Sequence, residues 1–310
     1  ADVLLQAAQD AHVPFRFEHL HTLAALVDEG SFEGAAHRLR VSTSAVSQRV
    51  RAMERSAGTV LVRRTSPVTT TQAGDVVLQH ARQVVMLDED TARALRAQGR
   101  EHGRVRVPLA VNADSLATWF TQALAAVPEE AGVAFEVHRE DEQHTAELLR
   151  AGTVMGAVTS RPATVQGCST EPLGALHYRA ACSPGFARRH LQGGPEEALV
   201  RAPMVNYDRS DELQDRFVRG LTGRDPAGPR HYVLASEDFA RAIVLGLGWG
   251  VVPEQQCAEH VAAGRLVDLA PERPVRVRLH WQRWNVSSPA LDAVSEAVRA
   301  VAAEHLRTVE

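Results

Sequence analysis

The sequence predicts an α/β chain that opens with an all-α winged helix-turn-helix and passes through one long linker helix. Three observations predict it. Two short apolar-periodic runs between Phe32 and Met53 are followed by an arginine-rich hairpin segment. A periodic run without proline then extends from Gln72 to about Ala97. Beyond it, strand-like and helix-like stretches alternate to the end of the chain. At 310 residues there is room for two domains and a connector.

The first element pair begins at Ser31, an N-cap placed before Ala35, Ala36 and Leu39. Arg40-Val41 makes a short break, and Ser42 caps a second run through Ala45, Val46, Val50 and Met53. Two helices joined by so brief a turn form a helix-turn-helix, whose second helix enters the major groove by its N-terminus. Thr43, Ser44, Ser47, Gln48, Arg49 and Arg51 occupy the front and outer face of that helix, and Arg63 with Arg64 falls in the wing. Together with Ser31 and Ser42 these are the candidate DNA-contacting residues. Hydroxyls and the Gln amide reach base edges or phosphates, and Arg grips guanine with two hydrogen bonds. The helix N-terminus itself favours phosphate. Phe32 to Gln72 holds seven Arg against Glu33 and Glu54, five net positive charges, whereas the whole chain carries -4. Local excess is what governs salt-sensitive affinity for DNA. The competing reading of the same residues is a helical hairpin with a solvated arginine face.

In the linker run, Val76, Val77, His80, Ala81, Val84, Leu87, Thr91, Ala94 and Leu95 lie near one side. A long helix with an apolar seam and no bundle of its own needs a partner. Pairing with a second subunit would set two recognition helices one DNA turn or more apart. Packing on the chain's own α/β part is the alternative. Gly99 to Gly103 marks the boundary, which divides the chain into 16–73 (DNA-binding domain), 74–103 (linker helix and hinge) and 104–310.

The α/β part starts with Val105–Val111, a helix from Ser115, Ala134–Arg139, a helix through Leu148-Leu149 and Val154–Thr159. This β-α-β-α-β order predicts a parallel sheet. A second cluster follows: Tyr178–Ser183, Ala202–Tyr207, His231–Ala235, a helix from Asp238 and Gly250–Val252. Arg276–Gln282 and a closing helix from Pro289 return to the first cluster. The expected lobes are therefore about 104–175 with 276–310, and about 176–275.

Open α/β sheets bind ligands beyond the carboxyl ends of their strands. That rule nominates Asn112, Asp114 and Ser115, then Glu140 and Asp141, then Thr159, Ser160 and Arg161. In the second cluster it nominates Asn206, Tyr207 and Asp208, with Ser236, Glu237 and Asp238 opening a helix. The set is rich in acids and hydroxyls and contains one Arg. Asp and Ser at helix starts also serve as plain caps, the reading preferred for Asp114, Ser236 and Asp238 taken singly. Trp281 ends a strand near the crossover and lines either the cleft or the core.

Other classes find little support. No apolar run reaches membrane-spanning length. Ala1 to Pro14 lacks a basic start and does not read as a secretory signal; it is a helical extension or a tail. Cys168, Cys182 and Cys257 are widely spaced and odd in number, which suits inert thiols in a reducing cytoplasm and neither a disulfide framework nor a zinc site. His19 and His21 point to different helix faces and make a poor metal pair. Gly246-x-Gly-x-Gly follows a helix and leads into a strand, the reverse of a nucleotide loop, so its glycines read as helix terminators. No nucleophile elbow, zincin motif or P-loop is present, and no catalytic residue or metal ligand is assigned. All 34 basic residues are arginine, which carries no functional signal by itself.

Residues 16 to 310 resemble the LysR-type transcriptional regulators. The resemblance rests on Phe17-Glu-His-Leu-His-Thr-Leu, Gly30-Ser-Phe-Glu-Gly-Ala-Ala, Ser44-Ala-Val-Ser-Gln-Arg-Val and Thr71-Gln-Ala-Gly. Many members have Leu-Phe in the wing where this chain has Leu61-Val62, followed by Arg63-Arg64-Thr-Ser-Pro. That variant is similar to the LysG/ArgP-like subgroup, which senses basic amino acids and controls their export. Val111-Asn-Ala-Asp-Ser-Leu-Ala-Thr-Trp, Gly156-Ala-Val-Thr and Gly246-Leu-Gly-Trp-Gly-Val-Val-Pro-Glu-Gln match the same subgroup. The resemblance implies a two-lobed, periplasmic-binding-protein-like effector domain and a homodimer or tetramer held by its linker helices. It also implies a double-stranded operator, contact with RNA polymerase, a cytoplasmic location and no cofactor besides the effector. A basic amino acid would place its cationic ends on the acids Asp114, Glu140, Asp141, Asp208 and Glu237. Its carboxylate would meet the helix starts at Ser115 and Ser236. The rivals are a regulator of the same family with an anionic or aromatic effector, and a binding protein that reads no DNA.

Overall fold

The computed structural model describes residues 15–96, 104–140, 142–192 and 195–308. Ala1 to Pro14, the hinge Gly99 to Gly103 and Asp141 lie outside the described residues.

Helix α1 (Phe17–Glu29) precedes the helix-turn-helix and ends on Gly30 in the left-handed region. Helix α2 (Phe32–Leu39) starts where the Ser31 hydroxyl accepts the Gly34 N–H at 3.0 Å. The break at Arg40 is a left-handed residue, φ 54°, and the Val41 N–H reaches back to the Ala36 carbonyl at 3.0 Å. This is a helix-ending geometry that glycine more often supplies. Helix α3 (Thr43–Ala57) starts with the Ser42 hydroxyl accepting the Ala45 N–H at 3.2 Å. Leu23, Leu26, Ala35, Val46, Val50 and Met53 close one core with Leu61 and Leu78. The wing is the antiparallel pair β1 (Val62–Arg63) and β2 (Thr69–Thr70). Helix α4 (Gln72–Arg96), about 38 Å long at 1.5 Å per residue, leaves the wing and packs along α1.

The α/β part begins with β3 (Val105–Val111) and helix α5, in which Ala113–Ser115, a π-helical turn Leu116–Phe120 and Thr121–Ala125 run on continuously. Then come β4 (Val133–Arg139), α6 (Glu142–Arg150), β5 (Gly156–Thr159) and the long β6 (Cys168–Cys182). The second lobe holds α7 (Pro184–His190), α8 (Pro195–Leu199), β7 (Met204–Asn206), α9 (Leu213–Thr222) and β8 (Arg230–Tyr232). It continues through α10 (Ser236–Val244), β9 (Gly250–Pro253), α11 (Glu254–Ala262) and β10 (Val267–Asp268). Strand β11 (Val275–Trp284) and helix α12 (Pro289–His305) return to the first lobe.

The main sheet has seven strands in the order β10-β6-β11-β5-β3-β4, with β9 pairing β6. Only β3–β4 and β3–β5 are parallel; β11 runs antiparallel to both β5 and β6. The three strands of the β-α-β-α-β run pair in parallel as that order predicts, and β11, β6, β9 and β10 extend them antiparallel into a mixed sheet. The physical reason is the return of the chain: β6 carries it out to the second lobe, and β11 must come back beside β6 in the opposite direction. These two long strands tie the lobes together.

Trp281 is a core residue, which decides its two readings. It is fully buried, its indole N–H donates to the Ser295 hydroxyl at 3.1 Å, and it lies over Gly156. A β-carbon on Gly156 would come within 2.6 Å of its ring. Trp119, Trp249 and Trp284 are buried as completely.

Candidate functional site

Two surfaces carry chemistry. On the N-terminal head, Val46, Val50 and Met53 of α3 face the core. That leaves Thr43, Ser44, Gln48 and Arg51 exposed, with Ser47 half-buried at the edge of the packed face. The face away from the core is therefore left open by the packing. The Ser44 and Ser42 hydroxyls share a hydrogen bond at 2.9 Å. Arg49 stands apart: its guanidinium donates to the Thr22 hydroxyl at 3.2 Å and so packs α3 against α1. Ser31 is likewise occupied as a cap. In the wing, Arg63 is exposed and Arg64 lies over the Phe32 ring, 5.5 Å from its centroid. Arg55, in the last turn of α3, continues the exposed face that Gln48 and Arg51 begin.

The second surface is a cleft of about 920 Å³ between the lobes. Asn112, Asp114, Glu140, Ser160, Asp208 and Tyr207 of the sequence-nominated set line it, as does Arg161. Ser115, Thr159, Asn206, Ser236, Glu237 and Asp238 do not. Ser115 is fully buried under its own helix start, where its N–H donates to the Asn112 carboxamide oxygen at 2.8 Å. Thr159 is buried and its hydroxyl accepts the Arg161 N–H. Ser236 stands one shell behind the lining, and Glu237 points out from α10 as an exposed side chain. Asn206 is buried beneath the loop, its amide donating to the Asp211 carbonyl at 3.1 Å.

Asp114 is the hub of the cleft. Sequence at the end of β3 sets it: the Asn112 side chain caps α5, which turns Asp114 inward from the first lobe. Its carboxylate accepts the Tyr178 hydroxyl at 2.9 Å and the Ser236 hydroxyl at 2.6 Å. Tyr178 belongs to the crossover strand β6 and Ser236 to α10 of the second lobe, so one carboxylate joins the two lobes. Burial pushes its pKa above the ordinary carboxylate value, against the lowering effect of the Ser236 and Tyr178 hydrogen bonds. Asp211, on the opposite wall, is raised by burial too, although it accepts the Tyr207 N–H at 2.8 Å and the Leu213 N–H at 3.0 Å. Two carboxylates short of solvation face one cavity. A cation placed there would relieve both.

The expectation of a single Arg in the cleft is corrected. Arg139, Arg216, Arg276 and Arg278 join Arg161 in the lining. Each of the five is exposed, whereas Asp114, Asp208 and Asp211 are half-buried. Aspartates form the floor, and the arginines with Glu212 the rim. Arg276 and Arg278 stand two apart on β11 and share one of its faces, but the alternation does not by itself point to the cleft. Tyr178 and Asp211 give no signal either, because strand crossover and a loop bring them in.

The three cysteines are buried or half-buried, and burial pushes each thiol up to about 11. Thiols so placed are poor nucleophiles at neutral pH. Among the described residues no helix is long and apolar enough to cross a membrane.

Comparison with known proteins fits this geometry. Residues 17–75 match the bacterial regulatory helix-turn-helix of the lysR family, and residues 98–303 match the LysR substrate binding domain. The chain is 41% identical over 291 residues to the lysine export transcriptional regulatory protein LysG of Corynebacterium efficiens, covering 94% of this chain and 99% of that one. The crystal structure of ArgP from Mycobacterium tuberculosis superposes with a TM-score of 0.87 at 40% identity, over 94% of this chain and 98% of that one. Full-length LysG of Corynebacterium glutamicum with bound effector Arg gives 0.82 at 38% identity, over 94% and 99% of the two chains. These relatives are transcriptional regulators and not enzymes. The chain belongs to the LysR family of transcriptional regulators, within its LysG/ArgP-like subgroup.

Proposed function

We propose that this regulator binds a basic amino acid in the interlobe cleft and controls an amino-acid exporter gene through an interrupted palindromic operator. The observation that carries the effector class is the acidic floor at Asp114 and Asp211 beneath a rim of arginines. An amino acid with a cationic side chain offers two cations and one anion. Asp114 takes one cation at the floor, and Asp211, Glu140 and Asp208 line the cavity for the other. The carboxylate meets Ser160 and the rim arginines. The relative with bound Arg supports the same ligand class.

Ser42 to Arg51 read base edges, and Arg63 with Arg64 meets phosphate or the minor groove. Val76, Leu87 and Leu95 are exposed on α4, at 59%, 41% and 77%, and a second copy of the helix covers that seam. The assembly is a homodimer or a dimer of dimers that acts in the cytoplasm through RNA polymerase. Effector binding biases the lobes toward one arrangement by its different affinity for the two.

The test is calorimetric titration of the full chain with lysine, arginine and histidine, with norleucine and glutamate as controls. All four Trp are buried, so calorimetry is a more direct readout than fluorescence. Selective binding of a basic amino acid is expected. Tighter binding of glutamate would instead favour the anionic reading that five rim arginines permit.

A further inference from the structure

Helix α4 has three working faces. Leu78 packs into the core of the DNA-reading head, and Val76, Leu87 and Leu95 form the exposed seam. Gln79, Arg82 and Met86 follow i, i+3, i+7 spacing, and at 100° per residue they lie roughly 120° around the helix from that seam. This third face is docked on the first lobe of the same chain. Met86 is buried in the effector-domain core. The Gln79 amide donates to the Gln166 carbonyl at 3.2 Å.

Arg82 is the junction. One guanidinium nitrogen donates to the Ala151 carbonyl at 3.1 Å and to the Thr153 hydroxyl at 3.2 Å, both in the turn between α6 and β5. The other nitrogen donates to Asp28 of α1 at 2.5 Å. Asp28 in turn accepts from Arg38 of α2, in the helix-turn-helix, at 3.1 Å. The Arg82 side chain is only 17% exposed, so this pair is less screened than an ordinary surface ion pair. Gly152 makes the approach possible. It has φ +70°, and a β-carbon there would come within 3.1 Å of the Gln79 backbone and 3.3 Å of the Arg82 side chain.

The turn that Arg82 grips is the far end of the unit that lines the cleft. Glu140 and His144 at the start of α6, and Ser160 and Arg161 after β5, face the ligand cavity. Helix α6 spans roughly 14 Å between the two ends at 1.5 Å per residue.

We propose that Arg82 is a positioning residue that fixes the DNA-reading head on the first lobe of its own chain and so sets the half-site spacing that the cleft adjusts. The adjustment rests on the effector reading above; the fixing does not. A half-site needs only the helix-turn-helix, whereas a full operator needs two heads at a set separation.

The experiment uses full-length protein, Arg82→Gln, Asp28→Asn and their double variant. The DNA is a duplex selected in vitro by the wild-type protein, and one half of it. For Arg82→Gln, half-site affinity is expected within twofold of wild type and full-operator affinity at least tenfold weaker. Asp28→Asn should weaken the full operator in the same way, and the double variant should be no worse than Arg82→Gln alone, because both break one junction. Thermal unfolding of each variant separates this from loss of fold. An equal loss on half-site and full operator, or no loss on either, overturns the proposal, as does strict additivity. Arginine at saturation should change full-operator affinity in wild type and leave it unchanged in Arg82→Gln. If wild type binds no basic amino acid by calorimetry, the effector reading fails while the half-site comparison still decides the role of Arg82.

Discussion

Asp114 shows how one residue is set by competing terms. Desolvation raises its pKa, and two hydroxyl donors oppose that without cancelling it. A carboxylate with a raised folded-state pKa binds its proton more tightly when folded. It therefore contributes stability below the ordinary carboxylate pKa that is lost as pH rises through the folded value. Asp114→Asn should be as stable as wild type at pH 7 or more so, measured by thermal unfolding, and should flatten the pH dependence of stability above the ordinary carboxylate range. The same substitution should weaken basic-amino-acid binding at least tenfold. In the wild type, effector affinity should rise with pH through the raised pKa, with proton release visible as buffer-dependent binding enthalpy. An Asp114→Asn protein that bound arginine as tightly as wild type would sink the role given to this carboxylate. The sequence placed Asp114 after a strand but favoured a cap; its two hydroxyl partners come from 64 and 122 residues away.

At the scale of elements, the second helix of the helix-turn-helix and the wing allow specificity and affinity to be tested apart. Gln48 stands on the face opposite the buried Val46, Val50 and Met53, with Ser47 half-buried at the edge between, and Arg63 is exposed in the wing. Gln48→Ala should change the preferred bases by about 1–3 kcal/mol at the contacted position. Arg63→Ala should weaken binding to all DNA and reduce the salt slope by about one phosphate contact. Competition binding on selected and random duplexes at two salt concentrations checks both; equal losses for Gln48→Ala on the two duplexes would refute base reading. Its place in the sequence makes Arg49 a candidate DNA contact, yet its guanidinium ties α3 to α1 through Thr22. A helical wheel cannot show that, because Thr22 lies on another helix.

At the scale of the whole molecule, α4 offers separate faces for the two burials that the sequence poses as alternatives. The sequence offered one apolar seam, to be buried on a second subunit or on the chain's own α/β part. The fold separates the tasks: Leu78, Gln79, Arg82 and Met86 hold the chain to itself, while Val76, Leu87 and Leu95 stay exposed. Leu87→Glu should therefore lower the oligomeric state in sedimentation velocity while leaving effector binding within twofold. Retention of the full assembly in that variant would move the interface elsewhere.

What the sequence determined by itself is whatever depends on local periodicity and capping. Ser31 and Ser42 cap the helices they precede, strand β3 runs from Val105 to Val111 as its alternation implies, and α4 extends from Gln72 to Arg96. These are decided within a few residues, by side-chain oxygen meeting backbone N–H and by apolar spacing. Tertiary structure alone decided the mixed sheet, the burial of Trp281 against Gly156, the four arginines that join Arg161 on the rim and the Arg82 junction. Each joins residues far apart in the chain. Such pairings are fixed by which faces pack together, and no single segment carries that information.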